Sequence, residues 1–154
     1  MLSMEHSESQ ELGFAGSVPV AMRPVVESLF FFNPQQGAII AEIRQTIEKT
    51  GPPFIFEWNN RIRIDVPSGS TQCLFACSRR DRPVGVALYS RPASDVIWIS
   101  HLAIDPSSNA VGDKCPNGIA GALVGKIREI ARSIKGAARI QLPYRRASFL
   151  RVAE

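Results

Sequence analysis

The stretch CPNGIAGALVGKI, residues 115 to 127, sets Gly118, Gly121 and Gly125 in a segment whose apolar spacing otherwise suits an amphipathic helix. Each glycine costs roughly 0.8 to 1 kcal/mol relative to alanine in a helix interior, so the three together forgo about 2 to 3 kcal/mol. Two things offset such a loss: close packing of the bare backbone against a neighbour, or a ligand that needs free backbone N–H groups where the helix begins. The second is anion chemistry, because the first helical turn carries unpaired donors and the positive end of the macrodipole. Two common phosphate motifs fail on spacing. A Walker A loop needs Ser or Thr after Gly-Lys, whereas Ile127 follows Gly125-Lys126 and Ala120 stands where the first glycine belongs, and G-x-G-x-x-G is absent.

The elements around that stretch follow from periodicity. A helix over 118 to 135 buries Ile119, Leu123, Ile127, Ile130 and Ile134 along one stripe, carries basic residues toward its C-terminus and stops at Gly136. DVIWISHLAI before it reads as a central strand with apolar residues on both faces, and ARIQL after it as a last strand. A strand, a crossover helix and a strand imply a parallel pair of right-handed connection. Upstream, TQCLFACS and PVGVALYS form a hairpin through the polar turn RRDR, and FIFEW and RIRIDV form another through Asn59-Asn60. Asn33 and Pro34 open a helix in which Ile39, Ile40, Ile43 and Ile47 recur at helical spacing and which Gly51 and Pro52 stop. Residues 18 to 32 read as a short strand and a helical turn, broken by Pro19 and Pro24, and residues 1 to 12 as a disordered tail. The expected organisation is that tail followed by one domain over 13 to 154.

Composition narrows the class without naming the activity. A chain of 154 residues, 45% hydrophobic and 21% charged, is ordinary for a globular protein, and it can bury about 70% of its unfolded surface without staples. The formal charge is +4, with basic residues concentrated after Lys114, which suits an anionic partner such as a nucleotide-like cofactor. Nucleic acid has little support, since Trp58 and Trp98 fall in strands without an evident aromatic and basic platform. The acidic N-terminus is not a secretion signal, and the most apolar stretch, SVPVAMRPVVESLFFF, contains Arg23, Glu27 and two prolines and would not span a bilayer, so a cytoplasmic protein is expected. Cys73 and Cys77 lie on one face of a strand about 13 Å apart, too far to bridge. With His6 and His101 as the two histidines there is no zinc set, and no metal is expected.

RPVGVALYS, then WISHLAIDP, then GIAGALVGKIREIARSIKGAARIQL resembles the core of the GNAT (Gcn5-related N-acetyltransferase) superfamily over roughly residues 72 to 142. The superfamily's phosphate loop reads Q/R-x-x-G-x-G/A, and Cys115-Pro116-Asn117-Gly118-Ile119-Ala120 falls on it, with Gly118 and Ala120 matching and Cys115 departing at the first position. The implied fold is α+β in three layers, GNAT-like, with a mixed, mostly antiparallel sheet and one parallel pair joined by the crossover helix. The implied activity is transfer of acetyl, or another acyl group, from coenzyme A to a primary amine. Acetyl-CoA is then the cofactor, held at Cys115 through Gly121, its pantetheine arm bonding the backbone of Leu102, Ala103 and Ile104. Gly121, at the inner end of that segment, and Gly125, a turn beyond it, lie one and two turns into the helix, where close packing on a strand is also expected of both.

Acyl transfer needs a base for the amine and an acid for the departing thiolate. Where the superfamily often has a carboxylate, just before LAI, this chain has Ser100 and His101. His101, with an unperturbed pKa near 6.5, is the candidate base, or else a packed strand histidine. The superfamily's tyrosine acid has no match in RRASFLRVAE, and Tyr144 just upstream is the substitute. Two further departures bear on function. The loop SSNAVGDKCPN is longer than usual, and the closing hairpin of the superfamily is missing before Glu154, so that a second copy or a partner chain walls the acceptor site, or the site is open. The hairpin at 54 to 66 is expected to cover a sheet edge in its place. The acceptor is a small-molecule or peptide amine. The alternative reading is a GNAT-like binding or assembly module without catalysis.

Overall fold

The computed structural model describes residues 12–105, 118–144 and 149–153. The chain runs β1 (Gly13–Ala15), β2 (Val18–Pro19), α1 (Arg23–Val26) with a π-helical turn (Glu27–Phe31), a 3-10 segment (Pro34–Ile39), α2 (Ile40–Thr50), β3 (Phe54–Trp58), β4 (Arg61–Asp65), β5 (Gln72–Cys77), β6 (Pro83–Ala93), β7 (Val96–Ile104), α3 (Gly118–Arg132), β8 (Arg139–Gln141) and β9 (Phe149–Arg151). A six-stranded sheet has the order β1-β5-β6-β7-β8-β9. Its pairs are antiparallel except β7 with β8, which is parallel and connected through α3. That is the mixed, mostly antiparallel sheet with one parallel pair expected from the alternation of periods.

Local chemistry accounts for the turns. Asn59 and Asn60 both have positive φ, 53° and 62°, as a two-residue hairpin that follows the strand twist requires, and asparagine tolerates that region. Gly136 at φ 89° follows the helical segment as the stop signal predicts.

Each face of the large sheet has its own core. On one, Leu123 and Ile127 of α3 are fully buried against Ile97, Ile99 and Ile140. On the other, Phe75, Val86 and Leu88 pack with Val26, Leu29 and Phe30 from the α1 region and with Ile62 and Ile64 of a second sheet. Burying each of these aliphatic side chains is worth about 1.5 to 3 kcal/mol. The molecule is therefore layered as α3, large sheet, and a layer of α1, α2 and small sheet.

Four expectations change. The hairpin at 54 to 66 covers no edge; β3 and β4 join β2 in a separate three-stranded sheet of order β2-β4-β3, because burying Ile62 and Ile64 under the large sheet outweighs edge pairing. ARIQL is not the last strand, since Phe149–Arg151 pairs with Arg139–Gln141 as a further, antiparallel edge strand. The helix after Asn33 starts as 3-10 through Gly37 and becomes α only at Ile40, and its apolar stripe is not core: Ile40 is exposed and Ile43 and Ile47 are half-buried. In α3, Ile130 is half-buried, Ala131 is in the core, and the helix ends at Arg132, three residues earlier than expected.

The glycine argument also moves. A Cβ on Gly125 would meet open space, so that residue does not let the helix approach the sheet. The notch is on the strand side: a Cβ on Gly85 of β6 would lie 2.7 Å from Ile119 Cγ2 and 3.0 Å from Leu123 Cδ1. Gly118 at the head of α3 has φ 67°, where glycine's freedom is required by the backbone itself.

Candidate active site

The site is made by a fault in β7. Its pairing with β6 runs Gly85↔Ile104 to Leu88↔His101 and then jumps to Tyr89↔Ile99, leaving Ser100 as an extra residue in a bulge. One inserted residue inverts the alternation of side chains. Ile97 and Ile99 face α3, but beyond the bulge Leu102 and Ile104 take that face while His101 and Ala103 turn to the other. The bulge thus delivers His101 to the layer of α1 and α2, with its ring 5.9 Å from that of Phe30.

The parallel partner departs near the same place. β8 pairs with β7 only over Val96↔Arg139 to Trp98↔Gln141. Past Trp98, side chains rather than a strand satisfy that edge of β7. Leu102 N–H donates to Tyr144 Oη at 3.1 Å, Gln36 Nε2 donates to Leu102 O at 3.2 Å, and Asn33 Nδ2 donates to Ile104 O at 2.8 Å and to Leu29 O at 3.0 Å. Tyr144 Oη also reaches Leu102 O at 3.5 Å. Tyr144 holds φ 61°, a left-handed conformation that is uncommon for an aromatic residue, and burial raises its phenol pKa.

Two hollows meet at Tyr144. On the α3 side a groove of about 590 Å³ is lined by Leu102, Ala120, Gly121, Val124, Leu142 and Leu150 together with Tyr144. On the α2 side a cavity of about 250 Å³ is lined by Phe30, Phe31, Ile40, Ile43 and Ile47, with Asn33, Gln36, His101 and Tyr144 as its polar groups. A third, polar recess of about 410 Å³ also borders Tyr144 and holds Glu42, Gln45, Lys49 and Trp98. A separate recess of about 570 Å³ on the small sheet, with Phe56, Trp58, Arg61 and Arg63, contains none of the candidate catalytic or cofactor residues.

His101 is buried, at 1% exposure, and so is Ser100. Ser100 Oγ lies 3.0 Å from His101 Nδ1 and 3.4 Å from Leu88 O. One proton order serves both contacts: Nδ1–H donates to Oγ, and Oγ–H donates to the Leu88 carbonyl. That order leaves Nε2 as a bare lone pair, and among the described residues Nε2 has no partner although it is buried. Desolvation lowers the imidazole pKa to about 4, so the ring is neutral at physiological pH.

Of the residues expected at a cofactor site, Leu102, Ala120, Gly121 and Tyr144 line one groove. Ile104 presents its carbonyl to Asn33. Ala103 packs into the core and is paired with Val86, and Ile119 is buried against Gly85. Gly118 heads α3. Cys115, Pro116 and Asn117, with the long loop and the tail at 1 to 11, lie outside the described residues. Asn33 and Gln36 were missed as site residues: the first reads as a helix cap, and nothing local signals a bond to a strand some seventy residues away. Among the described residues, no three His, Cys, Asp or Glu side chains cluster as metal ligands, and no helix is long and apolar enough to cross a membrane.

Four antiparallel strands, a bulged strand parting from a parallel neighbour, and a crossover helix beginning at a glycine beside the opening agree with the GNAT-like arrangement that the sequence resemblance implies. Solved structures with some likeness include a protein described as a GNAT-family acetyltransferase from Desulfovibrio desulfuricans, 20% identical, with 84% of this chain and 71% of that one covered at TM-score 0.45. Another is described as a streptothricin acetyltransferase from Bacillus anthracis in complex with acetyl coenzyme A, 12% identical, with 59% and 58% covered at TM-score 0.38. A GNAT-family acetyltransferase from Streptococcus pneumoniae is 15% identical, with 86% and 73% covered at TM-score 0.38. No family model and no curated protein matches the chain.

Proposed function

We propose that the chain is an acyl-CoA-dependent N-acyltransferase that moves acetyl, or another acyl group, from coenzyme A to an amine. The observation that carries this reading is the parting of β7 from β8 after Trp98, with an apolar groove on one side of Tyr144 and a cavity containing His101 on the other. A thioester arm in the groove would find Leu102 N–H and C=O as its backbone partners, taking them over from Tyr144 Oη and Gln36 Nε2. The diphosphate belongs at the head of α3, where Gly118, Ile119 and Ala120 contribute first-turn amides. Tyr144, which borders both hollows, and His101 would then be the residues that face the acyl group.

In that arrangement His101 Nε2 accepts the proton that the attacking nitrogen loses, and Ser100 fixes the tautomer through Nδ1. Tyr144, released from Leu102, offers its phenol proton to the departing thiolate. Its raised pKa keeps that proton in place until it is needed. The protein's part is orientation, exclusion of water and these two proton positions; coenzyme A supplies the activated acyl group.

The alternative, a GNAT-like binding module, has one specific observation in its favour: Leu102 and Ile104 already have side-chain partners. Isothermal titration with acetyl-CoA separates the two. Saturable one-to-one heat at micromolar to sub-millimolar ligand is expected, and absence of both heat and thermal shift at millimolar ligand would remove the enzyme reading.

A further inference from the structure

The cavity containing His101 narrows the acceptor, an inference that rests on the acyl-transfer reading above. Its described lining includes no Asp, Glu, Lys or Arg. In the free protein Asn33 and Gln36 donate to the Ile104 and Leu102 carbonyls and Tyr144 is bonded to Leu102; a thioester arm at Leu102 frees Gln36 and Tyr144, an amide and a phenol that carry no charge. The base in the cavity is His101 Nε2, buried and without a partner among the described residues. The nearest carboxylate among the α2 residues lining these hollows, Glu42, belongs to the polar recess and not to this cavity.

A charged ammonium meets no counter-charge in that described lining, and removing an ion from water without one is far more costly than burying a neutral amine. Aliphatic amines resemble lysine, with a conjugate acid of pKa about 10.4, and arrive almost wholly protonated at neutral pH. His101, depressed to about 4 by burial, does not strip a proton from such a group. An amine that is neutral at pH 7 meets neither obstacle. The cavity of about 250 Å³ is also the right size, since a cavity of roughly 150 Å³ holds a benzene ring.

We propose that the acceptor is a small, weakly basic amine on an apolar body, an aromatic amine foremost, seated among Phe30, Phe31, Ile40, Ile43 and Ile47 with its N–H directed to His101 Nε2. The nitrogen lone pair attacks the thioester carbonyl, the C–N bond forms and the C–S bond breaks. The attacking nitrogen, cationic once bonded to the carbonyl carbon, gives its proton to Nε2. The thiolate takes the Tyr144 proton, and the proton on His101 returns to Tyr144 through solvent, so the products are an amide and a thiol and the protein is unchanged.

Aniline and cyclohexylamine share a six-membered ring and differ chiefly in basicity, which makes them the test pair. With full-length protein and acetyl-CoA at pH 7.5, thiol release and amide formation should give kcat/KM for aniline at least a hundredfold above cyclohexylamine. Raising the pH to 9 should leave aniline unchanged and increase cyclohexylamine by about tenfold per pH unit, following its neutral fraction. Ile43→Asp, which places a carboxylate on the cavity wall, should let cyclohexylammonium bind unproductively and inhibit aniline acetylation at pH 7.5 at least tenfold more tightly than it inhibits the wild type. If that variant does not fold, the wild-type pair alone decides. Equal or faster transfer to cyclohexylamine at pH 7.5, or acetyl-CoA bound with neither amine acetylated, overturns the inference about the acceptor. Failure to bind acetyl-CoA in the calorimeter instead overturns the acyl-transfer reading on which it rests.

Discussion

The two halves of β7 obey different rules. From Val96 to Trp98 the strand lies between two others, and Ile97 and the following Ile99 are buried against α3 and Ile140. From Ser100 to Ile104 it keeps β6 on one side, and on the other its polar groups are met by Tyr144, Gln36 and Asn33. The first half is held by main-chain pairing on both sides, with one further irregularity opposite Ser90 to Ala93 of β6, and by packing, which nothing small can displace. The second is held by side-chain bonds worth about 1 kcal/mol each, which a ligand with its own donors and acceptors can replace. The same bulge that ends the regular half turns His101 away from the helix, so the opening and the candidate base have one structural cause.

The largest effect that would sharpen this contrast is in the closed half. Ile97→Ala should lower the unfolding free energy by about 2 to 5 kcal/mol, read from chemical denaturation, as for other fully packed aliphatic side chains. A loss below 1 kcal/mol would mean that this half is not the rigid frame described.

The next effect belongs to His101. Its folded-state pKa of about 4 lies below the unfolded value of 6.5, so between those pH values the unfolded chain binds a proton that the folded chain refuses. Stability should therefore fall as pH is lowered from about 6.5 to 4 and level off below, by roughly 3 kcal/mol from this group. His101→Leu should remove that slope while changing stability at pH 7 by only about 1 kcal/mol, because the bond lost is the one from Nδ1 to Ser100, and Nε2 has no partner among the described residues. Denaturation of both proteins across this range checks it; an unchanged slope in the variant would show that the imidazole is not held neutral by burial.

Much of the regular half was legible in the sequence. Alternation in TQCLFAC and PVGVALYS, the Asn59-Asn60 turn, the helical spacing from Ile119 to Ile127 and the strand-helix-strand order fixed the sheet and its parallel pair. The open half was only partly legible. A bulge leaves no mark when the residues on both sides of it are apolar, and SHLAI reads equally well in either parity. The small sheet depends on Val18 meeting Ile62, and the edge of β7 on Asn33 and Gln36 meeting Ile104 and Leu102. Those pairings are long-range, and local propensity does not encode them. The apolar stripe on α2 was visible, but not that Ile40, Ile43 and Ile47 face a cavity rather than the core.

The central claim, that the open half of β7 is where a thioester arm binds, is tested most directly by calorimetric titration of acetyl-CoA into the wild-type protein and Tyr144→Phe. The phenol competes for Leu102, so removing its hydroxyl should leave affinity unchanged or raise it by up to about tenfold, the equivalent of one hydrogen bond. Binding to the wild type that is lost in Tyr144→Phe, or no binding to either protein, would contradict it.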